Sequence, residues 1–312
     1  MLYQLLAKLT RKVLPAPATS VLQAKVRARR NARNQAERAA REAYWRERAG
    51  TNGYVCDEIS AGVRIHLPFD SELGRLIYLG GYEENERCFV RRVLRKGDIF
   101  VDVGANIGLY TLIAARIVGS KGAVHAFEPV SKTYQRLVQN VRLNGFRNVE
   151  CHQLGLSSAE GWSEITTCTD GFDAWSSFGV PAEGTECRRE SVPTTTWDAF
   201  AATWGLRGRV KLMKIDIEGW EGHFLSGAAL ELSAPTAPDL LIEFNDKAAQ
   251  AAGFTGAQVY RMLEGFGYQM FHYEGASNSL IPESLRPRYD YLNLVATKRP
   301  ERVQQMLNAS RR

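Results

Sequence analysis

Twelve residues, Phe100 to Thr111 (FVDVGANIGLYT), constrain the fold of this chain more than any other stretch. Ile99, Phe100, Val101 and Val103 form a short apolar run with β-branched character, which is how a strand buried on both faces of a parallel sheet reads. The run stops at Gly104, and beyond Asn106 the residues Leu109, Leu112, Ile113 and Ile117 recur at helical spacing. The pattern is therefore strand, tight glycine turn, helix. A glycine at such a turn lets the backbone adopt positive φ and approach a ligand closely. The new helix points free N–H groups and a partial positive charge at the same place.

The spacing Asp102-x-Gly104-x-Asn106-x-Gly108 is not the G-x-G-x-x-G of a pyrophosphate-binding turn. It carries instead an acid two residues before the first glycine, which suits a ligand with a cationic end, such as an amino acid. A second apolar strand, Ala123 to Phe127, ends in Glu128, twenty residues after Gly108. An acid at that distance is placed to accept both hydroxyl protons of a ribose. Glycine turn and ribose acid together point to a nucleoside ligand.

With HAFEP at 125–129, NVRLNG at 140–145 and LMKIDIEGWEG at 212–222, the motif resembles the FkbM-type family of S-adenosylmethionine-dependent methyltransferases, from about Tyr82 to about Thr297. The resemblance implies an α/β fold: the Rossmann-like class I methyltransferase, a seven-stranded, mostly parallel sheet with helices on both faces. The strand order would be 3-2-1-4-5-7-6, with the last inserted strand antiparallel. It implies S-adenosyl-L-methionine as cofactor and transfer of its methyl group to a hydroxyl, mostly on a sugar, glycan or natural product. It also implies cofactor contacts at Asp102, Gly104, Ala105, Asn106, Gly108, Glu128 and Pro129. Glu83, in the GGYE segment, would sit near the cofactor cleft. Gln153, Leu154 and Gly155, at the end of a third strand from Val149 to Leu154, would border the adenine.

Three regions are expected: a basic helical arm over residues 1–53, the methyltransferase domain over 54–300 and a tail over 301–312. In the arm, Leu2, Leu5, Leu6, Leu9 and Val13 share one helical face, Pro15 and Pro17 break the pattern, and a second helical stretch runs from about Val21 to Ala49. Residues 1–50 hold 12 basic and 3 acidic side chains against totals of 40 and 34, so the rest of the chain is acidic by three. The domain thus offers no electrostatic reason to expect nucleic acid. The arm, basic and without an acid before Glu37, reads as a cleaved organelle-targeting segment, as an interfacial helix on an anionic membrane surface, or as a solvated or self-associating helical arm.

Within the domain, Tyr54 to Leu67 reads as two short strands, and helices are expected over about Glu86–Leu94 and Lys132–Asn144. Ser158 to Leu206 is an insertion with a hairpin at Trp162–Thr167 and a loop at Gly171–Phe178, whose Trp175, Ser176 and Ser177 suit a sugar. A fourth strand spans Val210–Ile217 and a fifth Leu240–Phe244, followed by a helix within Ala248–Phe266. Tyr268–Tyr273 and Tyr291–Thr297 close the sheet, linked by a second specificity loop from Glu274 to Asp290. The five cysteines, odd in number and without C-x-x-C, indicate reduced thiols and a cytoplasmic protein, peripheral at a membrane where the arm engages one. No apolar run approaches eighteen residues.

Period-two alternation puts Lys214, Asp216 and Glu218 on one side of the fourth strand, where charge is costly unless it faces a cleft. Asp216 is the expected base or orienting acceptor for the hydroxyl, with Glu218 and Glu243 as second choices and His223 as an alternative base. Asp216, Glu243 and Asn245 could offer oxygen ligands to Mg²⁺, but they do not form an acid-acid-asparagine set in register, and no metal is assigned. A nucleobase methyltransferase would carry an N-P-P-Y-like motif where DIEG stands, and a short-chain dehydrogenase would need Tyr-x-x-x-Lys; neither occurs. The alternative to an enzyme is a degenerate cofactor-binding domain acting as a scaffold.

Overall fold

The computed structural model describes residues 16–168 and 187–309. Its strands are β1 (Tyr54–Ser60), β2 (Val63–Pro68), β3 (Ile99–Val103), β4 (Ala123–Phe127), β5 (Val149–His152), β6 (Gly155–Leu156), β7 (Gly161–Cys168), β8 (Cys187–Thr195), β9 (Val210–Ile215), β10 (Asp239–Phe244), β11 (Gln269–Glu274), β12 (Ser279–Pro282) and β13 (Leu292–Thr297). The main sheet has the order β12-β11-β13-β10-β9-β3-β4-β5. Numbering its strands as the sequence reading did, this is 3-2-1-4-5-7-6 with an eighth strand added at the edge. β13 runs antiparallel to both β10 and β11, while β3, β4, β5, β9 and β10 are parallel. The seven-strand expectation is corrected by β12, four residues from the expected specificity loop that pair with β11. It is short, carries Pro282 and lies at an edge, where a missing N–H costs no ladder bond.

Alternation along the strands explains the two layers. Phe100, Val124, Leu212, Leu241 and Val295 point into one cluster, with helices Glu84–Val93, Leu109–Val118, Ser131–Leu143 and Pro300–Asn308. Val101, Val103, Met213, Ile215, Ile242 and Leu294 point into the other, with helices Trp197–Thr203, Glu221–Gly227 and Gly256–Gly265. The single helix expected within 248–266 is two, Asp246–Ala251 and Gly256–Gly265, divided at Gly253 and restarted by a capping box of Thr255 and Gln258. A helix not read in the sequence, Glu72–Leu79, starts at the Ser71 cap. The hairpin expected at Trp162–Thr167 is a single strand: β7 pairs antiparallel with β8 across the insertion, in a small sheet ordered β6-β8-β7. Trp175, Ser176 and Ser177, like the apolar face of residues 2–14, lie outside the described residues.

The N-terminal helix, Ala16–Arg48, is exposed throughout residues 26–40. Its last turns are not. Trp45 is 2% exposed and packs edge-on against Phe69 (5.1 Å) and beside Tyr78 (5.6 Å), and Arg41 pairs with Asp57 at 2.7 Å. A cut at residue 53 would remove Trp45 from this cluster. At the other end, residues 301–308 are helical, and Val303 and Leu307 are fully buried. No described helix is long and apolar enough to cross a membrane.

Candidate active site

The carboxyl ends of β3, β4 and β9 open into a cleft continuous with solvent. Its floor is the glycine turn. Gly104 and Ala105 both donate N–H to the Phe127 carbonyl (3.0 and 2.9 Å), tying the turn to β4, and Asp216 N donates to Val103 O (3.0 Å), tying it to β9. Gly104 (φ 81°) and Gly108 (φ 98°) are left-handed, as is Asn106 (φ 48°), whose side chain accepts from Ile107 N.

Glu128 ends β4 at the cleft wall, 6% exposed. Its two oxygens accept from Asn106 N and Val130 N, each at 3.0 Å, and each oxygen retains a lone pair for a hydroxyl donor. Burial pushes its carboxyl up to about 7 despite those two N–H bonds. Asp102, 1% exposed, accepts from Thr111 Oγ1 at 2.6 Å through Oδ2, while Oδ1 has no partner among the described residues. A buried acceptor without a donor, on the cleft wall beside the turn, fits a cationic or N–H-bearing ligand end.

Across the cleft, Lys214 is buried and its Nζ lies 2.5 Å from Asp216 Oδ2 and 4.7 Å above the Tyr110 ring. Burial works to lower the lysine, but the carboxylates of Asp216, Glu83 and Asp102 overcome it and hold the ammonium above its ordinary value. For Asp216 burial works upward, and the Lys214 charge overcomes it and holds the carboxyl below its usual range. At Glu218 (φ 51°) and Glu243 burial dominates and the Asp216 charge adds to it, so both carboxyls stand well above normal; at Glu218 the Lys214 charge opposes this without overcoming it. Glu83 accepts from Tyr110 OH (2.7 Å), Asn293 Nδ2 (3.1 Å) and Tyr291 OH (3.2 Å).

The structure thus brings Glu83, Asp102, Gly104, Ala105, Asn106, Glu128, Pro129, Asp216 and Glu218 to one cleft. Leu154 and Gly155 line an adjoining hollow that shares Gly104, Pro129 and Ile217 with it. Three expected residues are elsewhere. Gly108 faces Leu137, 2.8 Å from where a Cβ would stand, so its work is helix packing. Gln153 is exposed and donates to Ser131 Oγ at 2.8 Å. His223 stacks on Trp220 and sets Nε2 3.1 Å from the Ala252 carbonyl, away from the cleft wall. The sequence reading missed Tyr82, Tyr110 and the partners Tyr291 and Asn293. Tyr110 stood inside the leading motif at the first turn of its helix, where a side chain overhangs the turn, and could have been found. It also missed Glu221, whose Oε1 accepts from Ile217 N (3.1 Å) and Gly219 N (3.4 Å) and holds the turn after β9.

A family profile described as the methyltransferase FkbM domain matches residues 102–270. The 31-O-demethyl-FK506 methyltransferase FkbM of Streptomyces tacrolimicus is 29% identical over 211 residues, covering 59% of this chain and 78% of that protein. Methyltransferase 1 of Beauveria bassiana (strain ARSEF 2860) is 28% identical over 81 residues, 26% of this chain. Among solved structures, methyltransferase FkbM of Methylobacillus flagellatus KT overlaps 66% of the chain at 18% identity and a TM-score of 0.39. The chain spans 32% of the Beauveria protein and 45% of the Methylobacillus chain. The strand order and the βα turn, not these overlaps, place the chain in its fold class.

Proposed function

The chain belongs to the FkbM-domain methyltransferase family, and we propose that it transfers the methyl group of S-adenosyl-L-methionine to a hydroxyl on a sugar, glycan or natural product. The carrying observation is one cleft whose lining holds both the Glu128 carboxyl and the Lys214–Asp216 ion pair. The residues fit the cofactor. The open lone pairs of Glu128 suit two ribose hydroxyls, the unpartnered Asp102 Oδ1 suits the amino-acid end, and Leu154 and Gly155 offer an apolar slot beside the turn. When bound, the cofactor supplies an electrophilic methyl group on a sulfonium. The protein must then align a hydroxyl oxygen and take up its proton. Asp216, lining the cleft, is placed to accept the hydroxyl's hydrogen bond and orient its oxygen, as base or as orienting acceptor.

Glu128→Ala is expected to weaken cofactor binding by about 1–3 kcal/mol, the cost of losing charge-assisted hydrogen bonds. The pH dependence is more specific. Only the ionised carboxylate accepts two hydroxyl protons without spending an oxygen on its own, so affinity should fall as pH drops through about 7. Stability of the ligand-free protein has the opposite sign. A folded value raised above the unfolded one stabilises below the unfolded value, and that contribution is lost as pH rises through about 7. Calorimetric titration with S-adenosylmethionine from acid to alkaline pH tests this; equal affinity across the range, or an unchanged Glu128→Gln profile, would remove Glu128 from the ribose.

We assign the exposed basic face of the N-terminal helix, with Arg27, Arg29, Arg30 and Arg33 and no acid before Glu37, to an anionic membrane surface on the cytoplasmic side. Charge attraction is screened within about 8–10 Å at physiological salt, so pelleting with anionic liposomes should fade as salt rises. Removing residues 1–36 should abolish it and leave cofactor affinity intact, whereas removing 1–53 should also cost about 3–5 kcal/mol through loss of Trp45. Pelleting that survives high salt, with light scattering showing dimers, would assign the arm to self-association instead.

A further inference from the structure

The carboxyl ends of β9 and β10 bring three carboxylates together. One oxygen each from Asp216, Glu218 and Glu243 lies within 4.8 Å of the others. Register explains the meeting: Ile242 of β10 stands beside Ile215 of β9, so Glu243 and Asp216 follow at the same level. Glu243 is 1% exposed, and no N–H or hydroxyl among the described residues donates to either of its oxygens; its one polar neighbour is another carboxyl, that of Asp216. Asn293, its cross-strand neighbour, donates to Glu83 instead. A wholly buried carboxylate with neither donor nor counter-ion is among the costliest groups a fold can carry.

Charge narrows what completes the site. Lys214 occupies Asp216 Oδ2 and, even if its charge were not shared with Glu83 and Asp102, supplies only one positive charge against three carboxylates. Two negative charges remain, and either two protons or one divalent ion neutralises them. The donors are all hard oxygens, which select Mg²⁺, Mn²⁺ or Ca²⁺ over softer metals. We propose that Asp216, Glu218 and Glu243 bind a hard divalent cation of the Mg²⁺ and Mn²⁺ class at the inner wall of the cleft. Glu243 stands behind the ion, while Asp216 and Glu218 line the cleft and leave its remaining positions open to solvent and acceptor. A hydroxyl coordinated there loses its proton more readily than a free one. That consequence rests on the methyl-transfer reading; the ion site itself does not.

The test is a titration of EDTA-treated full-length protein with Mn²⁺ alone, followed by calorimetry and by electron paramagnetic resonance of free Mn²⁺. One ion per chain should bind, Mg²⁺ should displace it, and Glu243→Gln should weaken binding by about 10-fold or more. Glu218→Gln, a change at the cleft wall, should weaken it similarly, and thermal melting checks that both variants fold. No saturable binding up to about 10 mM, beyond the weakest ordinary protein sites, overturns the proposal. So does unchanged affinity in both folded variants. An infrared carboxylic-acid band that disappears in Glu243→Gln but persists at saturating Mn²⁺ would also overturn it, since protons then neutralise the cluster. S-adenosylmethionine binding measured in EDTA keeps the two readings apart: cofactor binding without Mn²⁺ binding sinks only the ion, and the reverse sinks only the methyl-transfer reading.

Discussion

Gly104→Ala is expected to cost about 2–5 kcal/mol, a large share of the stability of an ordinary domain. Two contributions add: overpacking in a closed site, about 1–3 kcal/mol, and a left-handed backbone carried by a residue with a Cβ, about 1–2 kcal/mol. Both are severe here. At φ 81° a Cβ on residue 104 would stand 1.9 Å from the Asp216 carbonyl oxygen and 2.9 Å from its carbon. Neither atom is a flexible side-chain end; both belong to the backbone leaving β9. That backbone cannot retreat easily, because Asp216 N is bound to Val103 O and the turn itself is bound twice to Phe127 O. In the sequence this glycine reads as a place where the backbone approaches a ligand closely. The structure puts the collision at the neighbouring strand end, so the damage should appear without any ligand. Urea unfolding of Gly104→Ala beside the parent protein measures it. A loss below about 0.5 kcal/mol, the range of ordinary surface changes, would show that the turn and the β9 exit are not tightly interlocked.

What was legible in the sequence follows from how local each feature is. The buried parallel strands announced themselves as short apolar runs, and period two put Lys214 and Asp216 on one side, where both line the cleft; the strand expected to run to Ile217 ends at Ile215, so Glu218, left-handed at φ 51°, reaches the cleft through the turn after β9 and not by alternation. Glu128 was legible because its distance from Gly108 is fixed by one helix and one strand. Features made by distant pairings were not. Nothing near Glu83 in sequence announces that Tyr291 and Asn293 hold it, because only the strand order brings β13 to that wall. Trp45 read as part of a solvated arm, since its partners Phe69 and Tyr78 lie beyond two strands. His223 had the right distance from the strand end, but the helix Glu221–Gly227 turns its ring toward Phe254 and the Ala252 carbonyl. β12 was hidden because four mostly polar-flanked residues at an edge carry no periodic signal.

Lys214→Met should destabilise the protein by about 3–5 kcal/mol, the usual cost of removing one partner of a buried ion pair. The methionine fills a similar volume, so the loss is electrostatic rather than a cavity. The ammonium stands 2.5 Å from Asp216 and is the shared counter-charge for Asp216, Glu83 and Asp102, with Glu218 and Glu243 nearby. The pH dependence identifies the cause. In the parent protein Asp216 is held low and Lys214 high. A lowered carboxyl stabilises above its unfolded value and loses that contribution as pH falls through the folded value. A raised lysine stabilises below its unfolded value and loses that contribution as pH rises through the folded value. The pair is therefore fully stabilising across the neutral range. Without the ammonium, burial governs Asp216 as it already governs Glu218 and Glu243, and its folded value moves above the unfolded one. Its contribution then has the opposite sign, favouring the fold at acid pH and fading as pH rises. The gap between parent and variant should therefore widen from weakly acid to weakly alkaline solution. Denaturant midpoints at several pH values test this directly. A constant gap would mean that Lys214 acts through packing over the Tyr110 ring rather than through charge. A widening gap, with methyl transfer lost even where the variant is folded, would mean that the ionised state of Asp216 is itself maintained by this one lysine.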